Sequence, residues 1–163
     1  MTLSTWKITS EIPLLAWPRI PDVTPDGTTI YQTIRRLNGC LVVDLAEKGV
    51  VNRISLGESK FAVEGKEAHG LAVTPDGRQL WITTQITDDV TIVGTEDQEV
   101  VGRVFVGRDP NWIGFTPDGR LVVVSNTGSN DVIIIDVAQR KVVATTKVGA
   151  SPKRLAVGVV VVN

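Results

Sequence analysis

The chain carries one histidine, His69, in the tripeptide Ala68-His69-Gly70. An imidazole titrates near neutral pH, so such a residue can serve as a general acid or base, or as a metal or haem ligand. Its position belongs to a series. His69, Asn111 and Arg19 each stand five residues ahead of a Thr-Pro-Asp-Gly tetrapeptide, and Lys153 stands five residues ahead of the place where a further copy is due. One position of a repeat is therefore His, Asn, Arg or Lys. A ring of such groups around a channel mouth suits a small polar or anionic ligand, or a protein docking at one rim. Asp109 and Trp112 flank Asn111 in Arg-Asp-Pro-Asn-Trp and join the candidates. Lys60 and Phe61 complete the set, because they lie in Glu58–Gly65, a segment that interrupts the repeat. Insertions of this kind map to loops on one face, often the binding face.

Other residue types point away from chemistry. One histidine per chain cannot by itself build a protein-ligated metal site, so neither a metal nor a cofactor is expected. No Ser or Cys stands in a nucleophile elbow, so no catalytic residue is assigned. Cys40 aligns with valines and reads as core. Asp88-Asp89 and Asn130-Asp131 lack the EF-hand pattern and read as turn residues. Trp17, Trp81 and Trp112 read as core or interface anchors.

The elements that must position these groups follow from the tetrapeptide. Thr-Pro-Asp-Gly occurs at 24–27, 74–77 and 116–119, and each copy is followed by 30 residues ending in Leu-Gly or Val-Gly. Pro presets φ, Asp bonds back to its own backbone, and Gly takes φ > 0, so each copy is a turn. In the third copy three β-branched runs follow: Leu121–Ser125, Val132–Val137 and Val142–Val148, parted by polar breaks. A short apolar segment precedes each turn, as in Trp112–Phe115. Each unit therefore reads as four short antiparallel strands in up-and-down order. Cys40, Val90 and Val132 share a column, as do Val42, Ile92 and Ile134, so the core repeats with the unit. Radial stacking of such units makes a β-propeller, an all-β fold of four-stranded blades.

The third copy, with Val123-Val124-Ser125-Asn126 after its turn, resembles the YVTN family of β-propeller repeats. Trp81-Ile82-Thr83-Thr84 and Tyr31-Gln32-Thr33-Ile34 hold the corresponding places. The resemblance implies the propeller fold over about residues 16–157. Related propellers of the haem d1-binding and streptogramin-lyase kinds use channel-facing histidines, which is what the resemblance adds to the interest of His69.

The expected organisation is a single propeller unit. Residues 1–15 supply the outer strand of a split blade, and 16–57, 66–107 and 108–149 form three full blades. The inserted loop is 58–65, and 150–163 supply inner strands of a further split blade. An open stack leaves apolar faces in water. Two remedies exist. One chain closes as a small four-bladed ring, its N-terminal strand completing the C-terminal half blade, or two chains close one ring, each completing the other's broken blade. The second is the leading expectation, so a homodimer is the expected partner. The leading functional expectation is non-enzymatic binding. The alternatives are a lyase- or lactonase-type propeller enzyme with its site around His69, and an inactive fragment of a longer propeller.

With 17 basic and 18 acidic residues and no basic stripe, the chain is not expected to bind nucleic acid. The longest apolar run, Leu155–Val162 with Gly158 inside it, is too short to span a bilayer as a helix. The first residues lack a basic-then-apolar leader, so a cytoplasmic location is the default expectation.

Overall fold

A computed structural model describes residues 7–57 and 65–158. Lys60 and Phe61 lie outside the described residues. Twelve strands form three separate four-stranded antiparallel sheets, and no helix occurs among the described residues. Blade 1 is β1 (Pro18–Val23), β2 (Thr29–Ile34), β3 (Gly39–Asp44) and β4 (Gly49–Ser55). Blade 2 is β5 (Ala68–Val73), β6 (Gln79–Thr84), β7 (Asp89–Gly94) and β8 (Val100–Phe105). Blade 3 is β9 (Pro110–Phe115), β10 (Leu121–Asn126), β11 (Asp131–Asp136) and β12 (Lys141–Lys147). Strands pair in sequence order within each blade, and the inner strands β1, β5 and β9 lie side by side. This is the expected stack of propeller blades.

The turn chemistry explains the tetrapeptide letter by letter. Thr24, Thr74 and Thr116 donate through Oγ1 to Asp26, Asp76 and Asp118 at 2.6, 2.6 and 2.5 Å. Each carboxylate also accepts a backbone N–H two residues on, from Thr28, Arg78 or Arg120. These bonds, the threonine hydroxyl's first, hold the three carboxyls below the ordinary aspartate range. Gly27, Gly77 and Gly119 take φ of 73°, 74° and 68°. Successive turns also stack, since the Pro25 and Pro75 rings lie against Gly77 and Gly119.

The core is laid down between blades. One cluster joins Tyr31, Cys40, Val42 and Ile54 of blade 1 to Leu71, Leu80, Ile82 and Val93 of blade 2. A second joins Trp81, Val90 and Ile92 of blade 2 to Ile113, Val122, Val124, Ile133 and Ile135 of blade 3. Trp81 is fully buried, edge-on to Phe115 at 5.6 Å, with its indole N–H bonded to Gln79. Trp112 is half-buried, whereas Trp17 is 63% exposed and belongs to no core cluster.

A repeated polar clamp locks each blade to the next. Thr33, Thr83 and Ser125 hold one column of β2, β6 and β10. Each hydroxyl accepts the N–H of its own inner strand, from Ile20, Gly70 or Trp112, at 3.1, 2.8 and 3.2 Å. Each then donates to a carbonyl of the following inner segment: His69 at 2.7 Å, Asn111 at 3.3 Å and Lys153 at 2.7 Å. The third clamp reaches past blade 3. Leu155 and Val157 pack there against Gly114 of β9.

Residues 8–17 and 148–158 carry no strand. Ile12, Leu14 and Ala16, together with Ile30, pack against Ile34, Leu37, Leu41 and Val43 of blade 1. Residues 153–157 run along blade 3 in the place an inner strand of a next blade would take. Among the described residues no second strand of that further blade pairs with this segment.

Candidate functional site

The clamp orders the candidate residues. Because it bonds the carbonyls of His69, Asn111 and Lys153 in succession, the position five residues before each turn recurs from one inner segment to the next. His69 is the second residue of β5, so it sits in a strand rather than a turn. Its Nδ1 lies 3.1 Å from the carbonyl oxygen of Asn111. A carbonyl only accepts, so Nδ1 carries the proton. Burial pushes the imidazole pKa down to about 4, with the charges of Arg19 and Lys153 acting in the same direction and the Asn111 carbonyl opposing them. The ring is therefore neutral near pH 7, and its Nε2 presents a lone pair. The charges of Arg19 and Lys153 are thus both felt at His69.

Arg19 donates to Glu67 at 3.0 Å, and both side chains are almost buried. Burial favours the neutral Glu67, but backbone donors from Gly65, Glu67 itself and Arg36, with the Arg19 charge, outweigh it and lower the carboxyl below its ordinary range. Asp109 adopts φ 52° and its carboxylate pairs with Lys66, while its N–H donates to Asp88. Asn111 is buried, and its carbonyl serves both His69 and Thr83. Trp112 lies under the guanidinium of Arg154 at 5.8 Å. The structure thus joins His69 to the Asn111 backbone, ties Arg19 and Asp109 into ion pairs with Glu67 and Lys66, and sets Trp112 under Arg154. Among the described residues no three His, Cys, Asp or Glu side chains gather in a way that could hold a metal ion.

Sequence reasoning missed Glu67 and Lys66, the partners that neutralise this region. It also read Asp89 and Asp131 as ordinary turn residues. Each is the first residue of a strand and buried. Asp89 is bonded by Thr84, Thr91 and Arg103, and Asp131 by Asn126, Ser129 and Lys147. Their recurrence 15 residues after the turn threonines Thr74 and Thr116 was the available signal.

A scan against protein-family models gives no match, and a search of curated proteins gives none. Solved structures do match. Hydrazine synthase of Kuenenia stuttgartiensis is similar at TM-score 0.69 and 25% identity, over 84% of this chain and 37% of that one. The WD40 repeats of RRP9 are similar at TM-score 0.70 and 15% identity, over 84% of this chain and 40% of that one. A functionally unknown protein from Desulfotomaculum acetoxidans is similar at TM-score 0.65 and 17% identity, over 83% of this chain and 44% of that one. The fold is a set of β-propeller blades. This chain spans less than half the length of these matched structures. A propeller suits binding or scaffolding in general, while specific activity lives in sites placed on it.

Proposed function

We propose that the chain is a non-enzymatic binding or scaffold propeller of YVTN-like repeats. It completes its ring with a second copy of itself and offers the mouth around Arg19, His69 and Lys153 to a small polar ligand or a protein. One observation carries the reading: the outward face of blade 3 repeats a pattern that blades 1 and 2 bury completely. Tyr31, Cys40 and Val42 are 3%, 0% and 3% exposed, and Trp81, Val90 and Ile92 are all 0% exposed. Their counterparts Val123, Val132 and Ile134 remain half-buried. At the other end Leu15 is 98% exposed beside the exposed Trp17. Apolar surface at both ends of one stack favours association end to end. Sedimentation equilibrium tests this. A mass near twice 17.6 kDa supports the dimer, and a concentration-independent 17.6 kDa overturns it.

The neutral, oriented imidazole of His69 favours one second reading, a lyase- or lactonase-type enzyme that uses Nε2 as base or ligand. About one equivalent of bound metal, lost in His69→Ala, would support it. Less than about 0.2 equivalents, with His69→Ala unchanged in stability, would remove its metal-dependent form.

A further inference from the structure

Blade 1 lacks a carboxylate that blades 2 and 3 carry. Asp89 and Asp131 begin β7 and β11, and each meets a cation of the outer strand. Asp89 pairs with Arg103 at 3.2 Å and Asp131 with Lys147 at 3.1 Å. Gly39 holds their place at the start of β3. No side chain fits there, because a Cβ at Gly39 would overlap the carbonyl oxygen of Ile54. The cation is nevertheless kept. Arg53 lies opposite Leu41 in the β3–β4 ladder as Arg103 lies opposite Thr91 in the β7–β8 ladder. It is exposed and makes no ion pair among the described residues.

Arg53 instead lines a cavity of about 510 Å³, a size that suits a small molecule. Arg35 and Arg36 line it as well, and among the described residues no acidic group does. The remaining wall is apolar, with Leu15, Trp17, Ile34 and Leu37 its large members. Two of these depart from the repeat. Leu15 stands where the other units have Gly65, Gly107 and Gly149, yet it takes φ 52°, a conformation that favours glycine. Trp17 stands where they have Glu67, Asp109 and Ser151. Both are exposed, and the Arg35 guanidinium lies over the Trp17 ring at 5.1 Å. Large apolar groups thus replace small or polar ones beside an arginine that has lost its carboxylate.

We propose that this cavity binds a small carboxylic acid with a flat apolar body, such as an aromatic carboxylate. Its carboxylate gives Arg53 the pairing that Asp89 gives Arg103, and its ring lies against Trp17 and Leu15. Arg35 and Arg36 hold other contacts and add positive potential at the rim. An inorganic anion would leave the apolar wall in water, and a neutral arene would leave Arg53 unpaired. The cavity includes none of Arg19, His69 or Lys153, so this site goes beyond the reading of the mouth.

The test is to titrate the full chain with naphthoate, following heat by calorimetry and the indole N–H signals by NMR. Two controls each keep one half of the ligand: naphthamide has the ring without the charge, and acetate has the charge without the ring. Naphthoate should saturate and move the Trp17 indole signal, assigned by its loss in Trp17→Phe. Both controls should bind at least about tenfold more weakly. Arg53→Gln should bring naphthoate down to the level of the amide, and Arg53→Lys should recover part of the loss. Arg53 is exposed, so both variants should keep the native urea midpoint. The proposal is overturned if naphthoate does not saturate, if the amide binds as tightly, or if Arg53→Gln binds naphthoate as the native chain does. The dimer is read by sedimentation without naphthoate, so each proposal can fail while the other stands.

Discussion

At the scale of single residues, His69 controls a pH window of its own. Its folded pKa of about 4 lies below the ordinary 6.5, so the unfolded chain takes up the proton first as pH falls. The stability tied to the neutral ring is complete above about pH 6.5 and is lost as pH falls from there toward 4. The depressed carboxyls of Asp26, Asp76 and Asp118 act lower, since they lose their share only as pH falls below the ordinary aspartate range. Urea midpoints should therefore drop between pH 7.5 and 5 in the native chain, and His69→Gln should flatten that drop. A variant that falls as steeply as the native chain would show that His69 is not responsible. Thr83 offers a second test at this scale. Its buried hydroxyl satisfies the Gly70 N–H and reaches the Asn111 carbonyl in the next blade. Thr83→Val keeps the shape but strands a buried donor, and should cost about 1–3 kcal/mol by chemical denaturation. Ser125→Ala, whose partner segment is more exposed, should cost less.

At the scale of elements, the turns couple one blade to the next. Gly27 and Gly77 have nearly the same φ, so an alanine at either should lose about 1–2 kcal/mol to backbone strain. Their surroundings differ. A Cβ at Gly27 meets nothing within 4 Å, whereas one at Gly77 meets Pro25 Cδ at 3.3 Å. Gly77→Ala should therefore cost more than Gly27→Ala, by a further ~1 kcal/mol if the proline ring cannot shift. Equal unfolding midpoints would mean that the turn stack is loose. These turns are also what made the fold legible. Pro, Asp and Gly each have a local reason to be where they are, and strand limits fell within a residue of the pattern: Leu121–Asn126, Asp131–Asp136 and Lys141–Lys147 in blade 3. What could not be read was set by non-local contacts. Lys48, Gln98 and Arg140 share one position of the outer hairpin and take φ of 56°, 59° and 52°, although none is a residue type that signals such a conformation. Each lies in the link of a hairpin whose ladder carries a register shift, at Val42/Val43, Ile92/Val93 and Ile134/Ile135. The candidate mouth was legible as a column, but not its ion pairs. Glu67 meets Arg19 across 48 residues, and Lys66 meets Asp109 across 43, distances over which spacing carries no information.

At the scale of the whole molecule, one column of the repeat turns the question of assembly into a comparison of two substitutions. Ile92 and Ile134 occupy equivalent places in β7 and β11. Ile92 is fully buried because blade 3 covers it, while Ile134 is half-buried among the described residues. A carboxylate at Ile92 would be sealed between blades without a partner, so Ile92→Glu should cost several kcal/mol and unfold the chain. A carboxylate at Ile134 can reach water in a single copy, so Ile134→Glu should cost about 1–2 kcal/mol there and leave the blades folded. If a second copy covers blade 3 as blade 3 covers blade 2, Ile134→Glu also places charge in the contact between copies. The variant should then keep its strand circular dichroism and sediment near 17.6 kDa, under conditions where the native chain sediments near twice that mass. A folded Ile134→Glu protein that still sediments as a dimer would put the contact elsewhere. If Ile134→Glu unfolds as completely as Ile92→Glu, blade 3 is already sealed within one chain, and the end-to-end dimer loses its main support.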